Sequence, residues 1–200
     1  MPGEGYMPEQ KHMTREQIFA TCRDIIREWG VQHLLMDELA RRRGISKKTI
    51  YELFGSKEAL MESLMADFLQ QEEADFRQAL QQQGPGLCDQ LRFIIDYLIR
   101  LGELIPYGEL EFLRKKHKPP FRMMMHYADS LLELIHARLQ QARSEGQLPE
   151  SHRPDMALQL LKAQLQHLHQ HAGLLRQQYP LQHWSQYLAE SFLNSLRQGV

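Results

Sequence analysis

The chain has 200 residues, a length that suits one domain, or a small domain joined to a medium one. Hydrophobic residues make up 42% and charged residues 24%, which excludes global disorder, while a net charge of −1 carries no signal for nucleic acid by itself. Two cysteines, Cys22 and Cys88, exclude a disulfide framework and are expected as buried free thiols. No apolar run approaches the ~20 residues of a membrane span, and the N-terminus has no apolar leader core, so the expected setting is cytoplasmic.

Charge is unevenly spread. Residues 58–113 carry 3 basic and 11 acidic groups. Residues 41–57 carry six bases (Arg41, Arg42, Arg43, Lys47, Lys48, Lys57) against one acid, Glu52. That local +5 marks where a polyanion could sit.

In chain order, residues 1–12 hold Gly, Pro and charge without periodicity and are expected to form a disordered arm. Thr14 followed by Gln17 is a capping box, and Met13 is placed to staple onto Ile18. Ile18, Cys22, Ile25, Ile26 and Trp29 then trace one helical face over about 14–28, with Gly30 as a left-handed stop. A short helix over about 36–43 turns Leu39 and Ala40 inward and breaks at Gly44. Ser46 caps a third helix, about 47–53, with Ile45 and Ile50 as its staple. Gly55 ends it. Ser56 caps a long fourth helix carrying Leu60, Leu64, Phe68, Phe76 and Leu80 on one face, up to Gly84-Pro85-Gly86. A change of functional region is placed within this helix, near residue 65, where the charge turns acidic.

Further helices are expected at about 87–104, 107–116, 120–145, 154–178 and 182–197. The leucines at 158, 161, 165 and 168, continued by Ala172 and Leu175, form an a/d-type seam. No segment alternates with the period of a strand. The fold class is all-α: a three-helix helix-turn-helix head over 13–64, then a helical-bundle C-terminal domain over 65–200.

The head resembles a known family. Ile18-Phe19-Ala20, Met36-Asp37-Glu38-Leu39-Ala40 and the stretch from Gly44 to Leu60, with Tyr51, Phe54 and Ser56-Lys57, look like the DNA-binding head of the TetR family of transcriptional repressors. Residues 65–200 resemble that family only in architecture. The implied partners are operator double-stranded DNA, a second copy of the chain and an unidentified small molecule; no membrane partner, cofactor or metal is implied.

The residue chemistry of the third helix agrees. Lys47, Lys48 and Thr49 lie at its N-terminal end, where backbone N–H groups also favour an anion. Lys47 and Lys48 suit guanine O6/N7, Glu52 a cytosine N4 and Leu53 a thymine methyl. The resemblance puts Tyr51 and Lys57 on the phosphate backbone. Each has a plainer alternative as a solvated surface residue. Ile45, Ile50 and Phe54 are assigned to the head's own core. The chain also departs from the family. Leu35 stands where a Ser or Thr cap is usual, and Asp37 and Glu38 would repel phosphate. Contact is therefore expected to fall on the third helix, Lys57 and the triple Arg41–Arg43. For those arginines the alternative is to complement a helix C-terminus.

In the C-terminal domain, Phe93, Tyr97, Tyr107, Phe112, Phe121, Met124 and Tyr127 are candidate liners of an apolar ligand cavity, with ordinary core as the alternative. His167 and His171, four residues apart, have metal-chelating spacing without a nearby carboxylate or thiol, so a surface or interface place is preferred. The run from Arg114 to Lys118 is read as a solvated loop. By resemblance, the last two predicted helices pair with their copies, through Leu161, Leu165, Leu168, Ala172, Trp184, Leu188 and Phe192. No phosphate-loop, dinucleotide, nucleophile-elbow or HExxH motif occurs, and Glu72/Glu73 are placed on a polar face, so an enzyme reading finds no support. The resemblance implies a repressor released when a ligand shifts the fourth helix. A ligand-independent DNA-binding protein and a helical interaction protein are the alternatives.

Overall fold

The computed structural model describes residues 14–105 and 107–198, so the expected arm and the Met13 staple lie outside the described residues. Ten α-helices and one 3-10 turn account for most of what is described, and no strand occurs among the described residues. The chain forms two compact units, Met1–Leu64 and Met65–Val200.

The first unit holds α1 (Arg15–Trp29), a 3-10 turn (Val31–His33), α2 (Met36–Arg43), α3 (Lys47–Phe54) and the start of α4 (Lys57–Gln81). The caps are local and side-chain made. Gln17 N–H donates to Thr14 Oγ1 and Thr14 N–H to Gln17 Oε1, both at 3.3 Å, which closes the capping box of α1. Thr49 N–H donates to Ser46 Oγ at 3.1 Å at the start of α3. Gly44 ends α2 in the left-handed region (φ 65°, ψ 34°), and Ile45 N–H reaches back to the Ala40 carbonyl at 3.1 Å. Gly30 also has positive φ (89°), but with ψ 162° it is not the left-handed helical stop expected. The core under these helices is Ile18, Cys22, Ile25, Leu39, Ile50 and Leu60, all fully buried, with the Phe19 and Phe54 rings 5.7 Å apart. Burial pushes the Cys22 thiol up to about 12. Ile45 is only half-buried, and so is Cys88 in the second unit, against expectation.

The second unit holds the rest of α4, α5 (Leu87–Leu104), α6 (Tyr107–Lys116), α7 (Lys118–Ser144), α8 (Pro154–Gln170), α9 (Ala172–Gln178) and α10 (Leu181–Gln198). Helix α5 is central: it packs on α7, α8 and α10, and Leu91, Ile94, Ile95 and Ile99 are sealed from solvent. Ile135 and Leu139 of α7 and Leu161 of α8 are fully buried as well.

Two boundaries differ from the periodicity. The helix expected over 154–178 breaks at His171 (φ −108°, ψ 11°), a break that the periodicity hides because the leucine spacing continues through it. Arg114–Lys116 close the last turn of α6 and Lys118 opens α7, so the basic run is helical and not a loop; His117 between them is buried.

Candidate nucleic-acid interface

Ile50 and Phe54 point into the head, which turns the opposite side of α3 outward. Lys47, Lys48, Tyr51 and Glu52 share that exposed face. Thr49 and Leu53 sit half-buried on its flank, with Thr49 Oγ1 3.0 Å from Ser46 Oγ. Lys57 is the first residue of α4, half-buried, beside the Ser56 cap whose Oγ accepts from Ala59 N–H at 3.0 Å. The helix start thus keeps a cation next to free backbone donors, an arrangement suited to a phosphate.

The electrostatics differ from the local +5. Acids outside 41–57 compensate most of it. Arg42 reaches Glu28 at 2.7 Å and Glu38 at 2.6 Å, and its guanidinium lies 4.3 Å from the Trp29 ring centroid. Arg41 makes a two-pronged contact with Glu38, at 2.9 and 2.7 Å. Hydrogen bonds from Arg41 and then Arg42 hold the Glu38 carboxyl down at about 2. The two arginines therefore serve the head's own structure, and Glu38 is neutralised rather than set against phosphate. Trp29, expected on the apolar face, is instead half-exposed under Arg42.

On the outward face, Lys47 Nζ is 2.8 Å from Asp37 Oδ1, a contact that raises the Lys47 pKa. Lys48 Nζ is 3.7 Å from Glu52 Oε1. Lys57 has no ion pair among the described residues. The Asp37 contact was invisible to sequence reasoning: the two residues lie on different helices, and only the turn between α2 and α3 brings them together.

Residues 18–64 match the family model described as bacterial regulatory proteins, tetR family. The match covers the head, which is similar to the DNA-binding region of that family. Several solved structures of similar fold are of transcriptional regulators. The fatty acid degradation regulator FadR from Bacillus halodurans is 16% identical, over 92% of this chain and 96% of that one, with a TM-score of 0.64. FadR from Bacillus subtilis, solved in complex with stearoyl-CoA, is 18% identical over 94% and 100%, with a TM-score of 0.62. The ketosteroid regulator KstR2 of Mycobacterium tuberculosis is 16% identical over 94% and 96%, with a TM-score of 0.58. At these identities the likeness establishes the fold. No curated protein matches the chain in sequence.

The second unit brings part of the candidate ligand set together. Phe76 lies 5.7 Å from Phe93 and 4.7 Å from Tyr97, ring centre to ring centre. The Tyr97 hydroxyl donates to Glu72 Oε2 at 2.9 Å and lies 3.1 Å from the Tyr127 hydroxyl. Burial, then the contacts with Tyr127 and Glu72, pushes the Tyr97 phenol far up, so it stays protonated. Glu72, placed on a polar face by sequence, is thus part of this cluster. Phe76, read only as a core position, is its centre. Met124 is buried and Phe121 half-buried on α7. The Phe112 ring meets His117, at 5.7 Å. The Tyr107 side chain lies outside what is described.

The residues of the predicted dimer seam are placed as follows. Leu161, Leu165, Leu168, Leu188 and Phe192 are all buried within one protomer, because the a/d stripe meets this chain's own helices. Trp184 is half-buried and donates its indole N–H to the Leu175 carbonyl at 3.3 Å. The Ala172 side chain lies outside what is described. What α8 and α10 leave in solvent is Met156, Leu160 and Tyr187, each about two-thirds exposed or more (65%, 65% and 72%). His167 and His171 stack at 4.3 Å, exposed, and no group of three or more metal-type ligands occurs among the described residues. No helix among the described residues is long and apolar enough to cross a membrane.

Proposed function

We propose that the chain is a homodimeric repressor that binds a palindromic operator and leaves it when a small molecule enters the second unit. One observation carries this reading: a capped α3 that turns Lys47, Lys48, Tyr51 and Glu52 to solvent on one face, with Lys57 at the next helix start, inside a head that matches the TetR family. A two-turn helix spans few base pairs, so a second copy is needed to reach a specific site. The partner face on this reading is the outward side of α8 and α10, which carries Met156, Leu160 and Tyr187, since large exposed apolar side chains are available to a partner.

The ligand is apolar with a polar end. Phe76 and Phe93 offer the apolar wall, and the Tyr97–Tyr127–Glu72 hydroxyl and carboxyl groups offer the polar contact. Helix α4 links the two functions covalently, since it begins at Lys57 and carries Glu72 and Phe76 further along. A coupling of about 1–3 kcal/mol between the two binding events already changes affinity 5–150-fold.

Selection of binding sites from a random duplex pool tests the reading. The expected result is an inverted repeat, bound in a salt-dependent way. Lys57→Ala should weaken all sequences alike and flatten the salt slope by roughly 2 units per dimer, whereas Lys48→Ala should change the preferred base in both half-sites. Leu160→Glu with Tyr187→Glu should give monomers that lose the repeat. A thermal-shift screen of amphipathic compounds, acyl-CoA thioesters among them, should find stabilisers that also release DNA; saturation at 100 Kd corresponds to about 2.7 kcal/mol. If no duplex is bound even at low salt, the helical interaction reading replaces this one.

A further inference from the structure

The contact between Asp37 and Lys47 does more than neutralise a charge. Asp37 is in the first turn of α2, and Lys47 opens α3; the Nζ–Oδ1 distance is 2.8 Å. Both side chains are solvent-facing, at 80% and 52% exposure, so neither is held there by burial. The carboxylate stands on the face that presents Lys48, Tyr51 and Glu52, and it draws the ammonium toward itself. Glu38, next to it in sequence, is already occupied by Arg41 and Arg42 and does not compete for Lys47.

We infer that Asp37 is a specificity-determining residue that acts as an internal competitor for Lys47, withholding that lysine from DNA of arbitrary sequence and releasing it only to a site that offers a better acceptor. This rests on the proposed reading of the head as a DNA-binding element. A phosphate of random duplex offers Lys47 a charge–charge contact of the same kind that Asp37 already supplies, so exchange yields little. Asp37 also stays behind, unpaired, facing the polyanion. A base edge with two acceptors, such as guanine O6/N7, offers directed hydrogen bonds that Asp37 does not, and there the exchange is favourable. The acid thus lowers non-specific affinity more than specific affinity, which is specificity gained by disfavouring the wrong partner.

The test is a double-mutant cycle on the full chain, with Asp37→Asn and Lys47→Met, measured on random duplex and on the selected site across a salt series. Asp37→Asn should tighten random-duplex binding by about 2- to 30-fold per dimer, the range that exposed ion pairs of this kind would give when two heads are freed. Its salt slope should steepen by roughly 2 units, one new phosphate contact per head. On the selected site the gain should be smaller, so the ratio of specific to random affinity falls. In the Lys47→Met background Asp37→Asn should have no effect on the slope. Unchanged helicity and melting of Asp37→Asn verify folding; if that variant is unstable, Lys47→Met alone must weaken the selected site by a larger factor than random duplex.

Three results overturn the inference. One is a tightening by Asp37→Asn that is as large without Lys47 as with it, which makes Asp37 a simple source of repulsion. Another is no change in the specificity ratio. The third is wild-type protein that binds no duplex, which removes the DNA reading first and this inference with it.

Discussion

The head and the C-terminal unit are both helical, but they are held together differently. In the head, polar side chains finish the structure: Thr14 and Ser46 cap helices, and Glu28, Glu38, Arg41, Arg42 and Trp29 form one linked cluster. In the C-terminal unit, aliphatic residues of α5, α7, α8 and α10 carry the packing, and its main polar cluster joins positions 25 and 30 residues apart in the chain. The lesson concerns where variation is tolerated. A binding surface made of short, capped helices constrains residue identity locally. A packed aliphatic bundle constrains volume and pattern and leaves its polar interior free to change.

The largest effect should come from removing one core side chain from each unit. Ile50→Ala in the head and Ile95→Ala in α5 each delete a fully buried branched chain and should cost about 2–5 kcal/mol. The two tryptophans report separately, Trp29 from the head and Trp184 from the second unit. In denaturant titrations of single-tryptophan variants, Ile50→Ala should lower the Trp29 midpoint and Ile95→Ala the Trp184 midpoint. If either substitution moves both midpoints equally, the two units unfold as one and the comparison breaks.

Ser46→Ala comes next. It removes the acceptor for Thr49 N–H and should cost about 1 kcal/mol, read on the Trp29 transition. Caps of this kind are why the head was legible. Ser46, Thr14, Gly44 and Gly55 act on neighbours a few positions away, so their effect is written in adjacent residues. The same locality misled in one respect. Counting charge within 41–57 left out Glu28, Asp37 and Glu38, which the fold brings back to compensate it. In the C-terminal unit, periodicity located the helices but not their partners. The stripe of Leu161, Leu165 and Leu168 looks the same whether it faces its own protomer or a second one, and only burial within the chain decides. The break at His171 escaped notice for the same reason, since an unbroken apolar period crosses it.

A smaller effect concerns packing at Gly102 on α5. A Cβ there would overlap the imidazole of His169 on α8, so the glycine makes room for that ring. Gly102→Ala alone should destabilise the second unit. In a His169→Ala background the same change should stabilise it by up to about 1 kcal/mol, the helix preference of Ala over Gly. Equal effects in both backgrounds would mean that the ring is not what the glycine accommodates.

The smallest effect is a difference in pH response. His152, before α8, is almost fully buried, and neither ring nitrogen has a hydrogen-bond partner among the described residues. Burial, and then the charge of Arg143, lowers its pKa below the ordinary 6.5. The folded unit therefore binds fewer protons here than the unfolded chain, so the His152 contribution to stability is complete above about 6.5 and is lost as pH falls below it. In the head, the corresponding group is Glu38, held down at about 2 from 4.5, so its contribution is complete above 4.5 and is lost only as pH falls toward about 2. Glu111 of α6, lowered by Arg114, adds an acid-window group to the second unit, so strong acid does not separate the two regions. The interval between neutrality and about pH 5.5 does, because His152 responds there and Glu38 does not. Between those two pH values, the Trp184 denaturation midpoint should fall while the Trp29 midpoint holds. In His152→Leu, which keeps the site filled and removes the titrating ring, the Trp184 midpoint should become pH-independent over that interval. A wild-type Trp184 midpoint that is already constant there would mean that His152 accepts its proton without cost, and the buried, unpartnered imidazole would not distinguish the two regions.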